Sequence, residues 1–176
     1  TPPLPPAEAA AKFRQVVDLR VAKIVEIARH PKADKLFVET VDLGTERRQI
    51  VSGLVPYYKE EELLGHCIVL VANLKPAKLR GVESNGMLLA AQPDTPAGEA
   101  PAAVEVLFVD HAAPGDRVLL EGADAAVPAS ADRIDVDTFF TMPIGVEDAT
   151  VRVGGQRLTC AGKDVRTAKV VKGRVQ

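Results

Sequence analysis

The chain has 176 residues, long enough for one well-buried core or for one domain with a sizeable annex. Hydrophobic residues make up 47%, yet aromatics are only 4% and Trp is absent, so Val, Ile, Leu and Ala fill the interior and favour strands. The formal net charge of -2 argues, taken alone, against a nucleic-acid binder, and the sequence has no run of about 18 apolar residues of the kind that spans a membrane.

The opening, TPPLPPAEAAAKF, has neither the basic start nor the apolar centre of a signal peptide. Its Pro/Ala content predicts an extended linker over residues 1–12, and it reads as a segment interior to a longer chain. VVDLRVAKIVEIA (16–28) predicts a long, bent first strand able to serve two edges of a small barrel. HPKAD (30–34) interrupts it with a turn. LFVETVDLG (36–44) alternates as a strand and RRQIVSG (47–53) returns as the second half of a hairpin. YYKEEELLG (57–65) has helical composition, bounded by Pro56 and Gly65. HCIVLVANL (66–74) is continuously apolar, as expected of a strand buried on both faces. NLKPAKLRGVESNG (73–86) is broken by proline and glycines into a long basic loop, and GMLLAAQ (86–92) resumes as strand.

Five strands with a short helix between the third and fourth is the order of an oligonucleotide/oligosaccharide-binding (OB) fold, a Greek-key barrel, so residues 13–92 are assigned to it. After a Pro/Ala/Gly connector, residues 104–110, 113–120, 149–155 and 156–162 predict short strands. DRIDVDTFF (132–140) predicts a helical turn packing Phe139 and Phe140. Residues 93–176 thus form a small β-rich C-terminal annex docked on the barrel.

The residues offer little to catalysis. His66 and Cys67 are adjacent in a strand and point to opposite faces, so they do not form a nucleophile–base pair. His30, His66 and His111 lack the spacing of a metal site, and Cys67 and Cys160 have no CxxC partner. The expectation is no enzyme, no metal, no cofactor, and buried reduced thiols in a cytoplasmic setting.

Charge is segregated. Residues 13–92 carry 12 Lys/Arg against 10 Asp/Glu, residues 93–151 carry 2 against 12, and residues 152–176 carry 7 against 1. Local fields therefore differ from the chain average. Lys75, Lys78 and Arg80 cluster in the basic loop, which in OB barrels walls the ligand groove, with Asn73 and Ser84 as polar groups for sugars or base edges. Lys23, Arg29, Lys32 and Lys35 form a second basic group on and after the first strand. Only Phe37, Tyr57 and Tyr58 offer aromatic platforms near the barrel face, and Phe37 serves equally well as core. A folded RNA read by shape and backbone fits this scarcity better than generic single-stranded DNA.

DLRVAKIVEIARHPKADKLFVETVDLG, RQIVSGL and VLVANLKPAKLRGVESNGMLLAA, in this order, closely resemble the tRNA-binding domain family. Its long form includes endothelial-monocyte-activating polypeptide II and the C-terminal domains of synthetase-associated tRNA-binding cofactors. The resemblance implies a non-catalytic module that captures tRNA with little sequence specificity and assists an aminoacyl-tRNA synthetase, within a multisynthetase complex or as an appended domain. It implies tRNA contacts at Lys23, Arg29, Lys35, Asn73, Lys75, Lys78, Arg80, Ser84 and Met87, Ser84 and Met87 belonging to an S-x-G-M block that also reads as structural. It further implies a monomer, with the annex standing in for a dimer partner. The acidic 121–137 stretch departs from the family's basic annex and is expected to face away from RNA, leaving Lys163, Arg166, Lys169, Lys172 and Arg174 as the annex's cations. The competing reading is a protein-interaction scaffold or cytokine-like fragment with the acidic 93–151 segment as its contact surface.

Overall fold

A computed structural model describes residues 2–176. The first element, α1 (Pro6–Val16), corrects the expectation of an extended linker. Proline at the helix start and an Ala-rich run favour a helix. Ala9, Ala10 and Phe13 then bury the face that docks on the annex, where a side chain at Gly154 would collide with the Pro6 carbonyl. The Pro/Ala composition concealed a packed helix.

β1 (Leu19–Arg29), β2 (Phe37–Asp42) and β3 (Arg47–Ser52) form an antiparallel meander. β1 is the long strand that the sequence predicts, and it bends at a bulge where its register against β2 shifts between Ile24 and Glu26. After α2 (Glu60–Leu63), shorter than the helical stretch expected over 57–65, β4 (Cys67–Val71) pairs with the first half of β1. The basic loop is a hairpin of β5 (Ala77–Leu79) and β6 (Val82–Ser84), followed by β7 (Met87–Leu88), which pairs with β4, and β8 (Ala90–Pro93). The ladder order is therefore β3-β2-β1-β4-β7. The two ends approach one another through Val51 N–H to Ser84 Oγ (2.9 Å), Asn85 N–H to Gln49 O (2.8 Å) and Gln49 Nε2 to Glu83 O (2.8 Å).

The annex supplies β9 (Glu105–Val106), β10 (Arg117–Leu120), α3 (Val136–Phe140), β11 (Ile144–Glu147), β12 (Thr150–Val153), β13 (Gln156–Cys160), β14 (Lys163–Asp164) and β15 (Gly173–Val175). It is sewn into the same sheet at both ends. β10 pairs with Leu19 and Arg20 of β1, and β15 and β9 both pair with β8. Of the two phenylalanines expected to pack, Phe139 is buried and Phe140 is exposed.

β4 explains how two cores share one chain. Ile68 and Leu70 point into one core with Ile24, Phe37, Val41, Ile50 and Leu63, whereas Cys67, Val69 and Val71 point into a second with Leu19, Val21, Val118, Val153 and Leu158. Strand alternation sends successive side chains to opposite faces, so a strand between two cores has no polar face. That is why 67–72 is continuously apolar. Each fully buried aliphatic side chain contributes about 1.5–3 kcal/mol.

Candidate nucleic-acid interface

The basic loop owes its shape to its turn. Leu79 pairs with Val82, and between them Arg80 (φ 52°) and Gly81 (φ 85°) both lie in the left-handed region, a two-residue type I′ hairpin turn. Such turns favour Asn or Gly at the first central position, and an arginine there costs roughly 1 kcal/mol. The strain presents a guanidinium at the hairpin tip, with Lys75 and Lys78 exposed behind it.

His30 ties this hairpin to the first-strand basics. Its Nδ1 accepts from Lys32 N–H (2.9 Å), so Nε2 carries the proton and donates to Leu79 O (2.9 Å). The ring is buried, whereas Arg29, Lys32, Lys35, Lys78 and Arg80 around it are exposed. The turn at 30–35 and the hairpin thus meet at one rim. In the sequence His30 reads as part of the 30–34 turn and as a poor metal ligand, with no sign of this contact. Lys23 stands apart: six residues of strand place it about 20 Å along β1 from Arg29, opposite Asp42 and Cys67.

Asn73 and Ser84, expected among the RNA contacts, are buried and engaged within the fold. Asn73 Oδ1 accepts from Asp18 N–H (2.9 Å), and its Nδ2 donates to Val16 O (2.7 Å) and Asp132 O (2.9 Å). Ser84 Oγ accepts from Val51 N–H and donates to Gly86 O, both at 2.9 Å. Gly86 has a φ of 137°, and a Cβ there would press on Leu70 and the Val71 carbonyl. Ser84 and Gly86 thus hold the loop's return, and Met87 emerges half-buried beside them.

The acidic segment of the annex does not lie apart from the basic loop. Ile134 N–H donates to Asn73 O (2.9 Å), Lys75 N–H donates to Ile134 O (2.8 Å), and Arg133 Nη1 reaches Leu74 O (3.2 Å) and Asn85 Oδ1 (3.0 Å). Residues 132–136 therefore brace the root of the loop, and a cavity of about 720 Å³ opens between them. Its walls include Tyr57, Leu79, Met87 and Val136, with Lys75 and Asp135 as its charged lining. Asp135 caps α3, and the Thr138 N–H bond (2.7 Å) holds its carboxyl below the ordinary carboxylate range. Of the three aromatic candidates, Phe37 is core and Tyr58 is engaged by Val106 N–H and the Phe108 ring, leaving Tyr57 at the cavity.

Away from this rim, His66 Nδ1 and Cys67 N–H both bind the Asp110 carboxylate, each at 2.7 Å. The clamp joins β4 to the annex. The thiols face inward, where burial raises Cys67 and takes Cys160 to about 11. A different carboxyl was invisible in the sequence: Glu39, on the inward face of β2, is fully buried, and burial raises it from 4.5 to about 7. Ser52 Oγ donates to its Oε1 (2.5 Å), and Oε2 has no partner among the described residues. Also among the described residues, no helix is long and apolar enough to cross a membrane, and no group of three His, Cys, Asp or Glu side chains is arranged to hold a metal ion.

Comparison with known proteins bears on the family and the fold. Residues 19–117 match the family described as "Putative tRNA binding domain". Methionine–tRNA ligase of Treponema denticola is 44% identical over 180 aligned residues covering 97% of this chain, and that of Treponema pallidum is 42% identical over 99% of it. This chain spans only 22% of the length of each. Among solved structures, the C-terminal domain of Plasmodium vivax p43 shares the fold at TM-score 0.78 and 23% identity, over 91% of this chain and 96% of that one. A MetRS-related protein from Pyrococcus horikoshii is 36% identical at TM-score 0.51, over 58% of this chain and 89% of that one. The chain is a β-rich module with a basic rim, and it belongs to the tRNA-binding domain family.

Proposed function

We propose that this chain is a non-catalytic tRNA-binding module, appended to or assisting an aminoacyl-tRNA synthetase in the cytoplasm. The similarity of nearly its whole length to part of two methionine–tRNA ligases favours a methionine-specific partner. The observation that carries the reading is the His30–Leu79 hydrogen bond, which brings two exposed basic segments to one rim. Cations so placed meet phosphates of a folded RNA without reading its bases. Arg29, Lys35, Lys75, Lys78, Arg80 and Met87 make the contacts. Asn73 and Ser84 position the loop, and Lys23 is a distal contact along β1. The meander and β4–β7 close as an OB barrel over residues 13–92, the hydrogen bonds between β3 and residues 83–85 supporting that closure. The annex, by pairing with β1 and β8, covers edges that a second subunit would otherwise occupy, which supports a monomer.

The test is tRNA binding by fluorescence anisotropy at 50 and 200 mM salt. Four neutralised phosphates lower affinity roughly a hundredfold over that range. Replacing Lys75, Lys78 and Arg80 together by Ala should flatten the log–log salt slope by about 2.7, since each lost phosphate contact contributes about 0.9. An unchanged slope in the triple variant would remove the hairpin from the interface.

A further inference from the structure

The cavity beside the basic hairpin is more apolar than phosphate binding requires. Leu79 (40% exposed) and Val136 (42% exposed) are among the few large hydrophobic side chains left open to solvent, and both line it. They come from different parts of the chain, the β5–β6 hairpin and the start of α3, and Met87 and Tyr57 add a thioether and an aromatic ring. Lys75 and the exposed Asp135 are the charged groups of the lining. A volume of about 720 Å³ lies within the range of pockets that hold small ligands.

Apolar walls with one aromatic ring suit a flat π-system, and a lysine at the mouth suits the phosphate attached to it. A carboxylate accepts hydrogen bonds but donates none. Asp135 spends one oxygen on Thr138 N–H and keeps acceptor capacity for a ligand. It therefore favours groups that present N–H donors, such as the amino groups of adenine, cytosine and guanine. Uracil offers only an N3–H flanked by two carbonyl acceptors, which a carboxylate opposes.

We propose that this cavity receives one unstacked, amino-bearing nucleobase of the bound RNA. The base packs among Tyr57, Leu79, Met87 and Val136, Asp135 accepts from its amino group, and Lys75 contacts its phosphate. The proposal rests on the tRNA-binding reading and deepens it. It gives the annex a part in recognition, because Asp135 and Val136 lie beyond the barrel, in the stretch expected to face away from RNA.

The chain has two methionines, which makes the test direct. Met87 lines the cavity, and Met142 is buried in the second core as an internal reference. The full chain labelled with [13C-methyl]methionine is titrated with AMP, CMP, GMP, UMP and, as a baseless control, ribose 5-phosphate, and tRNA binding is measured on the same preparation. The expected result is a saturable shift of Met87 with the first three, at least threefold weaker binding of UMP, and a stationary Met142. Asp135→Asn, which keeps an N-cap side chain on α3, should bring UMP level with the others. Intact tRNA binding with Met87 unmoved by nucleotides, or moved equally by ribose 5-phosphate, overturns the base site and leaves the tRNA reading standing. So does discrimination against UMP that survives Asp135→Asn. Absence of tRNA binding overturns the tRNA reading, and the base site falls with it.

Discussion

At the scale of single residues, the groups that matter most are those whose surroundings contradict their chemistry. Glu39 is a carboxyl on the core face of β2, between the inward positions of Phe37 and Val41. Its folded pKa, about 7, stands above the ordinary 4.5 because burial disfavours the charged form more than the Ser52 hydroxyl favours it. Well below pH 4.5 Glu39 is protonated in both states, and its burial adds no pH-dependent cost. As pH rises from 4.5 through 7 the unfolded chain releases this proton while the folded chain retains it, so stability falls by an amount on the order of 3 kcal/mol. Urea midpoints should therefore be higher at pH 5 than at pH 8, and Glu39→Gln should remove most of the difference. Equal pH dependence in the two proteins would show that Glu39 is not the source. Arg80 is the second such residue. Arg80→Gly relieves its left-handed backbone and should raise stability by roughly 1 kcal/mol in thermal or urea melts while weakening tRNA binding. Loss of stability instead would mean that the turn differs from type I′.

At the scale of elements, the basic hairpin depends on a neutral latch. Removing the His30 ring by His30→Ala leaves the Leu79 carbonyl and the Lys32 amide without their partner. It should cost about 1–3 kcal/mol and speed hydrogen exchange in β5 and β6. The rim then loosens with no change in the number of its lysines and arginines, so tRNA affinity should fall severalfold with the salt slope nearly unchanged. A variant with normal hairpin exchange would deny the latch. This element also marks the boundary of what the sequence discloses. The basic residues of the loop are legible because charge, proline and glycine punctuate a strand-rich region. The latch is not, because nothing local distinguishes a histidine that bridges two loops from one on the surface. Asn73 and Ser84 show the converse. Their polarity suggests a ligand, and the structure engages them with backbone groups, Val16 and Asp132 for Asn73 and Val51 and Gly86 for Ser84.

At the scale of the whole molecule, β4 decides how far residues 13–92 and residues 93–176 are separable. The uninterrupted apolar run of 67–72 announced a strand buried on both faces, and the second face belongs to the annex core. Helix α1 is illegible in the sequence for a related reason: its apolar face is mainly Ala9, Ala10 and Phe13, weak as a pattern but well packed against distant strands. Likewise the acidic composition of 93–151 suggested a surface apart from RNA, but composition does not report that Ile134 pairs with the root of the basic loop. Val69→Ala and Leu158→Ala lie on the annex side of the shared wall and should each destabilise the whole chain, Leu158→Ala by about 2–5 kcal/mol, in one cooperative transition. Two separate transitions would mean that the annex folds independently.

If the two basic segments joined at His30 form one tRNA-binding rim, the salt dependence of tRNA affinity must respond to charge removed from either segment. Lys35→Ala combined with Lys78→Ala, one cation from each side of the latch, should lower the log–log slope by about 1.8, near the sum of the two single effects. A slope that responds to only one of the two segments, or to neither, would contradict the single rim.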